Sequence, residues 1–354
     1  MKKVRILSLD GGGMRGIIPA TVLEYVENKI IEITKNKNAR LADYFDLIAG
    51  TSTGGILTAF YLTPAKSLFK EDPNTKYKAS EALAFYSNDG YKIFNESKKF
   101  GWFGLRQLFN AAKYSPKELE KILHKEFQYL QLKDLLKPCI ITTYNMKRKS
   151  SFFFSSREPM EKDREFYIKD VLRSTSAAPT FFPPAFIKNL ANEQQMINID
   201  GGVFANNPAM CAYSEGRSTD FGDIKFPSAK DMLILSIGTG GGQFNLPKVE
   251  KSSTWGILPW ASSIPNIMMD GSVDTVDFQM KNIFDTLQQK DKFNYKRVDV
   301  PINKRTYSSD MANASPENVE ALKKAGKEAL KASQIQQKNE YTLDEFIQQL
   351  IENN

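Results

Sequence analysis

Residues 46–55 read Asp46-Leu47-Ile48-Ala49-Gly50-Thr51-Ser52-Thr53-Gly54-Gly55 and run on into the apolar stretch Ile56 to Leu62. A short apolar run, a turn of glycines and small hydroxyl residues, then a longer apolar stretch is the pattern of a buried strand feeding straight into a helix. Three more runs end in such a turn. Val4 to Leu9 leads into Asp10-Gly11-Gly12-Gly13-Met14-Arg15-Gly16, after which Pro19 opens an amphipathic helix carrying Val22, Leu23, Val26, Ile30 and Ile33. Met196 to Ile199 leads into Asp200-Gly201-Gly202, and Met232 to Ile237 into Gly238-Thr239-Gly240-Gly241-Gly242. Strands alternating with helices predict an α/β fold around a largely buried sheet. If the four strands are parallel neighbours, their glycine turns gather at the carboxyl edge, where folds of this class place their sites.

Other elements follow from local signals. Ser115-Pro116-Lys117-Glu118 reads as a capping box, with Leu119, Ile122, Leu123 and Phe127 as the buried stripe of the helix it starts. Ser315-Pro316-Glu317 starts a helix through about Ala332, and Thr342 with Glu345 caps the last one. Cys139 to Met146 and Ser151 to Ser156 flank the basic turn Lys147-Arg148-Lys149-Ser150, as in a hairpin. The only linker-like stretch is Ser333 to Asn339.

With 354 residues, two-fifths of them hydrophobic, the chain can bury a full core. A net charge of +7 suits anionic lipid or acidic ligands as well as an ordinary surface, and by itself selects none of them. Cys139 and Cys211, the only cysteines, can form neither a disulfide framework nor a zinc site alone and read as reduced core residues. The N-terminal apolar run stops at Asp10, too short for a signal peptide, and no apolar run reaches the roughly 20 residues that span a bilayer. A cytoplasmic protein with peripheral membrane contact is expected.

The chemistry starts at Ser52. In Gly50-Thr51-Ser52-Thr53-Gly54 the flanking glycines let a tight strand-to-helix turn lift the hydroxyl clear, and the following helix aims its free N–H groups where an oxyanion would form. Such a serine needs a base. The single histidine, His124, lies beside Lys121 and Lys125 on the polar face of its helix, and in the wrong chain order for a Ser, acid, His triad. Asp200 is the best-placed carboxylate, at a strand end with two glycines behind it, although Asp-Gly is also a common turn pair. Gly11 to Gly16 satisfies the spacing of a dinucleotide-binding loop, which would make the chain an oxidoreductase. That reading requires an acidic strand end about 20 residues on, where a helical pattern runs through Glu32 instead. The same loop could equally serve as an oxyanion hole built from consecutive glycine N–H groups, with Arg15 holding it.

Taken together, Asp10 to Gly16, Gly50 to Gly55 and Asp200 to Gly202, supported by Ser174 to Pro179, Phe181-Phe182-Pro183 and Asn206-Asn207-Pro208, resemble the patatin-like phospholipases over roughly residues 6 to 242. The resemblance implies a three-layer α/β/α fold with a central, mostly parallel sheet and a Ser52–Asp200 dyad at the carboxyl edge. It implies an oxyanion loop at Gly11, Gly12, Gly13 and Arg15, an elbow shaped by Gly50 and Gly54, and a dyad turn at Gly201 and Gly202. It also implies hydrolysis of acyl esters of membrane glycerophospholipids without metal or organic cofactor. Nucleic acid polymers are not expected as partners. Some bacterial proteins similar in size to this one are defence effectors switched on by a cyclic dinucleotide, an activator for which no residue here marks a pocket. A non-catalytic lipid-binding member is disfavoured by the intact Ser52 and Asp200.

Residues 6–210 are expected to form the catalytic core, 211–332 the C-terminal part of the same domain, and 340–354 a terminal helix. Within the second part, Trp255 to Met269 concentrates Trp255, Trp260, Ile264, Ile267, Met268 and Met269 around Pro259 and Pro265. The prolines and Gly256 argue for an irregular segment, a lid or interfacial wedge at 253–270, or else an ordinary loop over the core. Phe100 to Leu105, behind Lys98 and Lys99, is a second segment of that kind.

Overall fold

The computed structural model describes residues 2–65, 74–95, 112–157, 164–241, 256–288, 291–336 and 341–354. Phe100 to Leu105 with Lys98 and Lys99, Gly242 and Trp255 lie outside them.

The centre of the fold is parallel. Strand β1 (Val4–Leu9) sits between β2 (Leu47–Gly50) and β7 (Met232–Ile237), parallel to both, and β8 (Tyr295–Val298) continues the set beyond β7. Every residue of β1, β2 and β7 is buried, as expected of strands covered on both faces. Alternate residues of β1 feed two separate apolar clusters. Leu7 and Leu9 join the larger one with α1 (Ile17–Thr34), α3 (Thr53–Leu62) and α4 (Ala79–Asn95). Val4 and Ile6 join the other with Ala209 and Ala212 of α8 (Ala209–Arg217) and Met280 and Phe284 of α9 (Ile257–Asp285). This is a three-layer α/β/α arrangement. The larger layer also holds α5 (Lys117–Phe127), α6 (Ile168–Thr175), α10 (Pro316–Ser333) and α11 (Leu343–Glu352), while α2 (Leu41–Tyr44) and α7 (Gly202–Ala205) are single turns.

The far side of the sheet departs from the parallel expectation in a way that matters for the site. Strand β3 (Cys139–Asn145) pairs in parallel with β2 only through Ile141 and then overshoots it. Its outer edge is taken along its length by β4 (Ser150–Ser155), the second arm of the expected hairpin. The inner edge left free beyond β2 is filled by β6 (Gln195–Asp200), which runs antiparallel and pairs at Thr143 to Asn145; β5 (Ala185–Lys188) closes the sheet antiparallel to β6. The condition that all four glycine-turned strands be parallel is therefore not met by β6, while the sheet as a whole is mostly parallel. Asp200 still arrives beside the β2 turn, because β2 and β6 share one edge of β3 and run toward each other.

Three local expectations are also revised. Helix α1 begins at Ile17, directly after a 3-10 turn over Gly13–Gly16, so Pro19 sits within its first turn rather than at its start. Helix α5 begins at Lys117 with no side-chain cap, Ser115 standing one residue too early, whereas Ser315 and Thr342 cap α10 and α11 as expected. Residues 257–269 form the first turns of the 29-residue α9, not an irregular loop, and Pro265 is carried inside it. Trp260, Ile264, Ile267 and Met268 recur at helical spacing and are 40–46% exposed, so α9 turns an apolar stripe outward. Among the described residues no helix is long and apolar enough to cross a membrane.

Candidate active site

Ser52 stands between the last residue of β2 and the first turn of α3 with φ 54° and ψ −119°. A non-glycine residue in that region costs about 1–3 kcal/mol and persists only where its surroundings enforce it. Here the enforcement is visible. A Cβ added at Gly50 would fall on the Gly54 carbonyl, and one added at Gly54 on the Leu9 carbonyl, so the elbow can close only with glycine at both positions. The Ser52 N–H donates to Thr175 Oγ1 at 2.8 Å, tying the elbow to the end of α6. The Thr51 hydroxyl donates to the Ala205 carbonyl at 2.6 Å and accepts from Thr142 at 2.7 Å, which locks the turn to β3.

Asp200 comes from the opposite direction on β6. Its N–H is held by the Ala177 carbonyl at 3.0 Å, its Oδ1 accepts the Gly202 N–H at 2.7 Å, and its carboxyl lies beside the Ser52 side chain on the same cavity. The residue is 3% exposed. Burial pushes its pKa from 3.8 up to about 7, against the lowering effect of Ser52 and the Gly202 N–H. Gly201 is required by contact with Thr142, where an added Cβ would fall on the threonine hydroxyl.

The glycine loop is fixed from several sides. The Gly11 N–H donates to the Asn206 carbonyl at 3.0 Å, the Gly11 carbonyl accepts from Thr239 Oγ1 at 2.7 Å, and the Met14 N–H donates to the Met311 carbonyl at 2.8 Å. These contacts occupy the Gly11 amide, whereas the Gly12 and Gly13 N–H groups have no acceptor among the described residues, and both glycines line the same cavity as Ser52. Gly13 has φ +58° and lies so close to the Met311 carbonyl that a side chain there has no room. Arg15 is buried, and its Nε reaches back to the Gly12 carbonyl at 3.4 Å, so it braces the loop rather than pointing at Ser52. Behind the loop, the Asp10 carboxylate receives two hydrogen bonds from Arg297 of β8, at 2.9 and 2.6 Å. Arg297 also binds Asp299 at 2.9 Å, and Asp299 Oδ1 accepts the N–H groups of Gly240 and Val300. Burial lifts Asp10 to about 6 while Arg297 pulls it down, and the two carboxylates hold the Arg297 guanidinium well above its ordinary value despite its burial.

Ser52, Asp200, Gly12 and Asn206 open on one cavity whose remaining wall is apolar, with Phe85 and Ile93 of α4, Phe181, Phe182 and Met269 of α9 among its lining. The residues named from sequence thus meet in one place, with Gly11 and Arg15 as supports. His124 does not: it is exposed on α5 and lies edge-on to the Tyr129 ring. The window that a dinucleotide site would need for an acidic strand end is filled by α1, Glu32 included. Thr175, Thr239, Asn206 and Arg297 were not assigned a role from sequence. For Arg297 a signal existed, since a Lys296-Arg297 pair inside an otherwise apolar strand is unusual unless the charges are used.

The family profile described as patatin-like phospholipase matches residues 7–213. Patatin-like protein 2 of Arabidopsis thaliana is 36% identical over 93% of this chain and 83% of its own. Patatin-17 of Solanum cardiophyllum is 33% identical over 97% of this chain and 88% of its own. A Solanum tuberosum relative named as a probable inactive patatin is 34% identical over 93% and 87%.

Proposed function

Because the chain belongs to the patatin-like phospholipase family, a family of lipid acyl hydrolases, we propose that Ser52 and Asp200 form a two-residue catalytic unit. It cleaves the fatty acyl esters of membrane glycerophospholipids through an acyl-enzyme. One observation carries the reading: a serine on a strained elbow lines the same largely apolar cavity as a buried carboxylate that burial pushes up to about 7. A carboxylate of ordinary pKa is too weak a base to take a serine proton, whereas one near 7 is about half ionised at neutral pH and basic enough to act.

Asp200 takes the Ser52 proton as Oγ attacks the ester carbonyl, and the free N–H groups of Gly12 and Gly13, with the N-terminus of α3, stabilise the tetrahedral oxyanion. The adduct breaks its ester C–O bond as Asp200 gives the proton to the departing lysolipid oxygen, and water, with Asp200 again as base, then releases the fatty acid. The apolar lining at Phe85, Ile93 and Phe181 suits an acyl chain rather than a polar substrate. The outward stripe of Trp260, Ile264, Ile267 and Met268 supports peripheral contact with a lipid surface, since Met269 on the same helix reaches the cavity.

The test is incubation of the purified protein with vesicles of defined phospholipids and identification of the products by mass. Free fatty acid with matching lysolipid, absent with Ser52→Ala, is the expected result. Release that persists in Ser52→Ala overturns the reading.

A further inference from the structure

The cavity holds a buried polar atom that the two-residue mechanism does not use. Asn206 is 4% exposed and lines the cavity with Ser52 and Asp200. Its backbone is held at both ends, the N–H by Ser272 Oγ at 3.1 Å and the carbonyl by the Gly11 N–H at 3.0 Å. The side-chain NH2 faces the Gly11 carbonyl at 3.4 Å, which fixes the amide orientation and turns Oδ1 the other way. Among the described residues no donor reaches that Oδ1. A buried acceptor left unsatisfied costs about 1–3 kcal/mol, so one at a reaction site calls for an explanation.

The surroundings of Oδ1 supply it. A Cβ added at Gly202 would lie 3.1 Å from Asn206 Oδ1 and 3.1 Å from Asp200 Oδ1, so both acceptors flank the same glycine. A Cβ added at Gly11 would fall against the same Asn206 Oδ1 and 3.2 Å from Ser52 Cβ. The unsatisfied acceptor therefore neighbours both the base and the nucleophile. The cavity volume of about 60 Å³ admits water, which needs on the order of 10–15 Å³.

We propose that Asn206 Oδ1 and the Asp200 carboxylate together hold the water that hydrolyses the acyl-enzyme, each accepting one of its two hydrogens. This rests on the acyl-enzyme reading above. With both hydrogens engaged, the oxygen lone pairs are left to face the Ser52 ester. In the reaction the water oxygen bonds to the acyl carbon as one proton passes to Asp200. The tetrahedral adduct then breaks its bond to Ser52 Oγ, which recovers that proton, and the carboxylic acid departs. Acylation needs no such water, so Asn206 acts on the second half-reaction alone.

The experiment uses a short-chain p-nitrophenyl ester and full-length protein, with p-nitrophenol release followed through the first turnover and the steady state, with and without methanol. In Asn206→Ala the first turnover should stay within about threefold of wild type while the steady state falls at least about tenfold, with acyl-Ser52 visible by mass. Methanol has one proton, which goes to Asp200, and needs no second acceptor. The ratio of methyl ester to free acid should therefore rise about tenfold in the variant. Gly202→Ala, helical and without positive φ, presses a methyl between the same two acceptors and should shift the ratio the same way, which keeps the test open if Asn206→Ala misfolds. Equal losses in both phases with an unchanged ratio would assign Asn206 to loop support and overturn the proposal while leaving the acyl-enzyme intact. A wild type with no Ser52-dependent turnover would instead overturn the underlying reading.

Discussion

Replacing Asp200 by asparagine should abolish hydrolysis and, at pH 8, make the protein more stable. The folded-state pKa of about 7 lies above the unfolded value of 3.8, so the folded protein binds a proton that the unfolded chain releases. The ionised carboxylate is thus a stability cost, fully present above about pH 7 and relieved as pH falls toward about 4. A shift of some three pKa units corresponds to a cost of about 4 kcal/mol at pH 8, falling below about 2 at pH 5 and below about 1 at pH 4. The asparagine oxygen can still accept the Gly202 N–H, and the change keeps the volume, so roughly 1–3 kcal/mol of that should appear as a gain. With an unfolding entropy of about 2.1 cal/mol/K per residue, a chain of this length gains on the order of 1.5–4 °C in Tm. Thermal unfolding of wild type, Asp200→Asn and Ser52→Ala at pH 8, 5 and 4 reads it directly. An Asp200→Asn protein no more stable than wild type at pH 8, or a gain that does not shrink by pH 4, refutes the argument that burial sets this carboxyl's pKa.

Other consequences are as specific. In wild type, kcat/KM for a soluble ester should rise with pH through about 7 and fall about tenfold per unit below it, because only ionised Asp200 accepts the proton; His124→Ala should leave that profile unchanged, and a profile that moves with His124 would contradict it. Gly54→Ala should cost about 3 kcal/mol or more in urea unfolding, since the added methyl falls on the backbone carbonyl of Leu9, which has no freedom to yield. Arg297→Met should cost about 3–5 kcal/mol by leaving Asp10 charged and buried, and adding Asp10→Asn should restore a large part of it in a double-mutant cycle; simple additivity would show the pair is not coupled.

The local chemistry of the site was legible because glycine at a turn is dictated by backbone contact, which sequence expresses directly: Gly50, Gly54, Gly201 and Gly13 each stand where a Cβ would meet another chain segment. Caps on α10 and α11 were legible for the same reason, each being decided within four residues. The direction of β6 was not, because a short strand carrying Met196, Ile197 and Ile199 reads alike either way and its orientation is set by the overhang of β3. The helical state of residues 257–269 was hidden by Pro265, whose lost hydrogen bond is tolerated within a long helix. Arg297 and Thr239 escaped notice because their roles exist only through contact with Asp10 and Gly11, more than 200 positions away.

The meeting of β2 and β6 on one edge of β3 also sets when, during synthesis, the chain can become active. Ser52 is made early, yet Asp200, the base proposed for it, arrives only with residue 200, and the loop beside it is not clamped until Thr239, Arg297 and Met311 have followed. At about 5–20 residues per second, roughly 10–50 s separate the emergence of the serine from that of its last support. Until residue 200 has emerged the nascent polypeptide carries Ser52 without that carboxylate, and until Met311 has emerged it carries a glycine loop without all its supports. Interrupted or prematurely terminated products lack the same parts, so only finished copies carry the complete candidate site.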